Sequence, residues 1–253
     1  MENTTPSPAS PRPLDQKIVA AVSLGLLLAV GLVAGGYAIS GIRLQPETLA
    51  VTGSAKERVR ADLGEVSGTV SRTVYEQNLS DGYAQIAVDA ESVRKALSEL
   101  GFSAAEITVD PVSANESSVW EDGRFVRTDY TVTARVTAKS SNVAKVARAA
   151  ESLGQTLAAR GVFFQSWGPS YTVSSLPEIR VKLLGEAVAD AKRRAESIAE
   201  NAGATVGPLS SAESGVVQVL APDSTQVDDY GSYDTSTVEK DVLVTVRAKF
   251  SVR

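Results

Sequence analysis

The chain has 253 residues, 43% of them hydrophobic, with 25 Lys and Arg against 30 Asp and Glu and a formal net charge of -5. It contains no His and no Cys, which removes the commonest zinc, copper, haem and iron–sulfur ligands, excludes Ser–His–Asp and Cys–His catalysis, and leaves no thiol redox chemistry. Carboxylates, Lys, Tyr and Ser remain for chemistry, and the absence of a basic tract argues against nucleic acid as a partner.

Residues 1–17 carry Pro6, Pro8, Pro11 and Pro13 with no apolar period and read as a disordered tail. Residues 18–39 follow without a charge, flanked by Lys17 and Arg43. At 1.5 Å per residue they reach roughly 30 Å, enough to cross the hydrocarbon of a bilayer. A cleaved signal peptide ending near Ala38 to Ser40 is the rival reading. The apolar stretch is longer than a secretory core, and a Pro-rich tail precedes it, so a retained single-pass transmembrane helix is expected. Basic residues stand on both sides and set no orientation. Residues 40–48 form a linker.

Beyond it, residues 49–59 and 63–75 read as strands, the second alternating Val66, Gly68, Val70 and Val74 against Ser and Thr. Ser80 and Asp81 offer a cap for a helix that Gly101 ends. Strands are expected at 107–119 and 130–139, around a Glu121-Asp122-Gly123 turn. A helix over 142–159 and a strand over 162–173 come next. Pro177 then opens a long helix to Asn201, striped by Leu184, Ala187, Val188, Ala191, Ala195, Ile198 and Ala202. Strands at 205–220 and 238–252 complete the chain. Residues 129–135 and 241–247 align as closing strands of similar pattern. The chain therefore reads as an α+β domain over 49–253, built from two duplicated β-α-β-β units (halves 49–140 and 141–253), with antiparallel sheets and helices packed on one face. The last strand reads as an outer strand whose unpaired edge favours self-association.

The long helix and its exit, with Ala187, Asp190, Ala191, Ala195, Ile198, Ala199, Gly203 and Gly207, and the opening run Val51-Thr52-Gly53-Ser54-Ala55, resemble the SIMPL-domain family over about residues 48–253. That family includes periplasmic immunogenic and oxidative-stress defence proteins. The resemblance implies an extracytoplasmic (periplasmic) domain held at the inner membrane, ring- or channel-like homo-oligomers, and no active site to carry over. Its acidic turn after the first strand is only loosely met by Ala61-Asp62.

The functional expectation is thus a membrane-anchored structural or assembly protein, not an enzyme, with no cofactor, no metal and no identified small-molecule substrate, acting in envelope or stress maintenance. The alternative is a ligand- or peptide-binding module using the aromatic strand Phe163, Phe164, Trp167 and Tyr171. These four, with Leu243 and Arg247 on the last strand, are the candidate contact residues. The loop 222–236 holds Asp223, Asp228, Asp229 and Asp234 without calcium-loop spacing and reads as mobile or assembly-facing. Glu106 with Asp110, and Glu116 with Glu121 and Asp122, read as surface charge.

Overall fold

Alternation of apolar and hydroxyl-bearing residues produces strands that are packed on one face and open on the other. The computed structural model describes residues 25–34, 47–224 and 230–253. Residues 25–34 form helix α1, exposed along its whole length. Among the described residues no helix is long and apolar enough to cross a membrane. The tail 1–17 and the rest of the expected 18–39 span lie outside the described residues.

Residues Thr48–Arg253 form a unit of their own. Two antiparallel sheets organise it. The small sheet has the order β1 (Thr48–Arg60), β8 (Glu239–Val252), β7 (Val206–Leu220). In the large sheet, β3 (Ile107–Val109) and β4 (Ser113–Glu121) share one side of β5 (Arg124–Ser140). On its other side lie β2 (Leu63–Tyr75) and then β6 (Phe164–Thr172). Helices α2 (Leu79–Glu99) and α3 (Val143–Ala159) bury Ile86, Val93, Val146 and Leu153 against Val66, Val70, Val132 and Val136. Helix α4 (Leu176–Asn201) covers the small sheet at Val242, Val244, Ala248 and Phe250. Each buried Val, Leu, Ile or Phe among these contributes roughly 1.5–3 kcal/mol by leaving water. The fold is α+β, as the alternation implied.

Several expectations change in detail. The strand expected at 107–119 is divided at Asp110 to Val112, where Pro111 offers no N–H to the ladder. The α2 cap at Ser80 or Asp81 is absent, since Asn78 stands at the N-cap without a side-chain bond, whereas Asn142 caps α3 by accepting from Lys145 N at 3.1 Å. The buried row of α4 keeps Ala187, Ala191 and Ala195 of the expected stripe and adds Leu183 and Ala199, whereas Leu184 and Val188 are only half-buried and Ile198 is half exposed. Gly53 is the reason. A Cβ there would stand 2.1 Å from Ala187 O, so only alanines fit where the helix lies on β1.

Strand pairing also departs from a division at residue 140. β1 pairs with β8 over Thr48 to Arg60, while α3 and β6 belong with the large sheet. β8 is therefore the central strand of its sheet, flanked by β1 and β7, and its edges are occupied. A strand–helix–strand–strand order nonetheless recurs. β2, α2, β4 and β5 are arranged β4-β5-β2, and β1, α4, β7 and β8 are arranged β7-β8-β1, nested around the first set.

Candidate interaction surface

The two sheets meet at the β1–β2 corner. Ala61 is buried and donates to Val238 O at 2.8 Å; Asp62 donates its N–H to Thr172 O at 3.2 Å, and its carboxylate accepts from Ser174 N at 2.8 Å and from the Ser174 hydroxyl. The segment 230–237 crosses the same junction. Val219 N donates to Ser232 O at 2.8 Å, Asp234 N to Val219 O at 2.7 Å, and Tyr171 N to Thr235 O at 2.7 Å, so one strap holds β7 and β6 together. The acidic loop is thus tied down at both ends that the structure describes; Asp228 and Asp229 lie outside the described residues.

Two ion pairs fix these ends, each with its buried member on β8, at adjacent positions 240 and 241. Lys240 is fully buried, with Nζ 2.5 Å from Asp234 O and 3.2 Å from Asp234 Oδ2. Asp241 is equally buried and accepts from Arg58 Nε at 2.8 Å, Arg58 Nη2 at 3.0 Å and Asp223 N at 2.9 Å, with Lys56 Nζ at 2.8 Å. The Arg58 guanidinium, aided by Lys56, holds the Asp241 carboxyl well below the usual carboxylate range. Burial works to raise Asp234, but hydrogen bonds from Thr237, Ser236 and Lys240 outweigh it and leave that carboxyl depressed as well. Glu106 is no bare surface charge. Both its oxygens accept from Lys145 Nζ at 2.9 Å, and this contact leads in lowering its carboxyl to about 2.

A pH dependence follows. These folded values lie below the unfolded ones, about 3.9 for Asp and 4.3 for Glu. Their stabilisation is complete above the unfolded values and is lost as pH falls through the folded ones. The chain has no His. The urea midpoint is therefore expected to stay constant between pH 6 and 7 and to fall steadily below about pH 4. A midpoint that shifts across the neutral window would contradict this account.

The predicted contact residues are divided by the structure. Tyr171 is buried and Phe164 half-buried, the latter pressed onto Gly68, so both serve the core of the large sheet. Phe163 and Trp167 are exposed at 69% and 51%. Leu243 and Arg247 lie in the other sheet, half-buried and exposed, on the face of central β8 opposite its buried row. They form no common patch with the aromatic strand.

Sequence reading missed an exposed apolar cluster at the tip of the β4–β5 hairpin. The β4–β5 hairpin turns through Asp122 (φ 50) and Gly123 (φ 75), a two-residue turn whose positive angles suit the right-handed twist of its strands. β2 pairs with β5 only as far as Asp129, so residues 124–128 run past it as an arm. The arm presents Trp120 at 62% exposure and Phe125 at 53%, their rings edge to face at 5.7 Å, with Val126 beside them. At its base Arg127 lies over Tyr75 at 5.4 Å and pairs with Asp129, next to a cleft of about 390 Å³ that Phe125 and Glu76 also line. Further along β5, Arg135 lies over Trp167 at 4.3 Å. By strand alternation both arginines stand on the sheet face turned away from α2 and α3. The signal available in the sequence was the Trp and Phe flanking the Glu121-Asp122-Gly123 turn. Among the described residues no group of three or more carboxylates is placed to hold a metal ion.

The profile of the SIMPL family, described as a protein of unknown function (DUF541), matches residues 49–250. The chain belongs to the SIMPL family. That assignment covers both sheets and all three helices of the domain, so the Gly53–α4 seat and the nested strand order lie within the family's own region. No curated protein matches the chain.

Proposed function

We propose that this SIMPL protein is a non-catalytic assembly protein, anchored in the inner membrane through residues 18–39 with its domain outside the cytoplasm, which forms a ring-like homo-oligomer in envelope or oxidative-stress maintenance. The observation that carries the reading is the β4–β5 arm, which holds Trp120, Phe125 and Val126 in water where a second chain would cover them. The repeated strand–helix–strand–strand order supports a duplicated unit. Sedimentation of the detergent-solubilised full chain is the test. A discrete species several times the chain mass is expected, and a monomer at tens of micromolar, where an interface of about -7 kcal/mol would show, overturns it. In that outcome the exposed Phe163 and Trp167 favour the ligand- or peptide-binding reading instead.

The anchor has its own test. The uncharged stretch 18–39, longer than a secretory core, and the Pro-rich tail before it support retention. Intact-mass measurement of membrane-extracted protein is expected to give the uncleaved chain, and a mature N-terminus near Gly41 refutes it.

A further inference from the structure

An antiparallel sheet leaves unpaired N–H and C=O groups on its outer strands, and these recruit other strands unless something blocks them. The domain has four long outer strands, and three are blocked. On β1, Ser54 donates its N–H to Asp190 Oδ2 of α4 at 3.0 Å, and the helix backbone lies against Gly53. On β7, the strap takes both backbone groups of Val219, and the register is broken at three places. On β6, Tyr171 N is taken by the strap, and the strand is irregular around Gly168 (φ 80) and Pro169. The β3 edge is blunted by its length of three residues.

β4 has no such device. Among the described residues its nine residues pair with β5 alone; they contain neither Pro nor Lys nor Arg, carry Glu116 and Glu121 as their only charges, and include no buried residue. The one register shift along the hairpin, between Val119 and Trp120, puts the extra residue on β5 at Val126 and leaves β4 continuous.

The geometry points to antiparallel pairing of β4 with β4 of a second copy, about a two-fold axis at Ser117, which continues the large sheet across two chains. This rests on the assembly reading above and names one of its contacts: a two-fold pairing closes at two chains, so a ring also needs a second interface between such pairs. Directly opposed residues in an antiparallel pair share one hydrogen-bonding state, so the axis must pass through a residue. An axis at Glu116 opposes two carboxylates, which is destabilising. An axis at Ser118 leaves Ser113 and Ala114 without strand partners, since they would face the turn residues Gly123 and Asp122. At Ser117 all nine residues pair: Glu121 meets Ser113, large Trp120 meets small Ala114, Val119 meets Asn115, and Glu116 meets Ser118. The strand is self-complementary at that register, and the occupant is therefore a second copy of this chain.

The chain has no native Cys, which makes cysteine pairing a direct test on the full-length protein in detergent. Opposed Cα atoms in such a pair are about 4.5–5.5 Å apart, within disulfide range. Under mild oxidation Ser117→Cys is expected to give most of the protein as a covalent dimer. Asn115→Cys alone and Val119→Cys alone place their thiols about 13 Å apart at 3.3 Å per residue and are expected to stay uncrosslinked, whereas a mixture of the two crosslinks. Gln165→Cys on β6 serves as the collision control. Equal crosslinking at 117 and 165, or none at 117 while the wild-type chain sediments as an oligomer, overturns the β4 contact and leaves the assembly reading standing. A monomeric wild-type chain overturns both.

Discussion

Gly53→Ala is expected to destabilise the domain by roughly 3 kcal/mol or more, at the upper end of what overpacking costs. The added Cβ would stand 2.1 Å from Ala187 O, 2.4 Å from Ala191 N and 2.8 Å from Ala191 Cα. All three are backbone atoms, so no side chain can swing aside, and α4 must lift from β1. Lifting it breaks the bond from Ser54 N to Asp190 and uncovers Ala191 and Ala195, which pack with Val51 and Phe250. Gly185→Ala, on the same helix, is the control. Nothing lies within 4 Å of its Cβ position, and a helical Gly replaced by Ala gains up to about 1 kcal/mol. The same substitution thus has opposite signs at two sites. Urea unfolding of both variants checks this, and a Gly53→Ala midpoint equal to wild type would mean that α4 is not seated on Gly53.

That seat also explains the two stretches that carried the family resemblance. Val51 to Ala55 and the alanine- and aspartate-bearing run of α4 are one packing contact read twice, with Asp190 serving β1 through a backbone hydrogen bond. The strands were legible because each sheet has one packed and one open face, which writes itself as a period of two. The α4 stripe was legible in its alanines. Ala187, Ala191 and Ala195 are buried as expected, while Ile198 faces water, because the close approach at Gly53 selects small residues four apart. The edge assignment failed on topology. β8 ends the chain, and nothing local reveals that β1, almost two hundred positions earlier, pairs along it. The same distance hid the Arg58 partner of Asp241, whereas the Asp234 partner of Lys240 is local and was hidden by the turn of the strap. Lys240 and Asp241 look like solvated strand residues until Arg58 is brought to Asp241 and Asp234 turns back onto Lys240. Trp120 and Phe125 were visible, but only the length of β5 beyond β2 shows that they project.

Lys240→Ala is expected to cost about 3 kcal/mol, the lower end of the range for breaking a buried ion pair, because Asp234 is partly solvated at 16%. The truncation removes the cation and also leaves a void where a fully buried stem had packed. Lys240→Met separates these two effects. It keeps the stem's volume, and Asp234 still accepts from Ser236 N at 3.1 Å and Thr237 N at 3.2 Å. It should therefore be milder than Lys240→Ala. Adding Asp234→Asn to Lys240→Met removes the uncompensated carboxylate and should recover part of the remaining loss. The stability order expected from urea midpoints is wild type, then the double variant, then Lys240→Met, then Lys240→Ala. Location supplies a second readout. Asp234 heads the strap that bonds to Val219 and Tyr171, so the amides of those two residues should exchange faster in Lys240→Ala, while that of Ser54, held by α4, changes only with global stability. Uniform acceleration at all three amides would show that Lys240 stabilises the domain as a whole without acting through the strap.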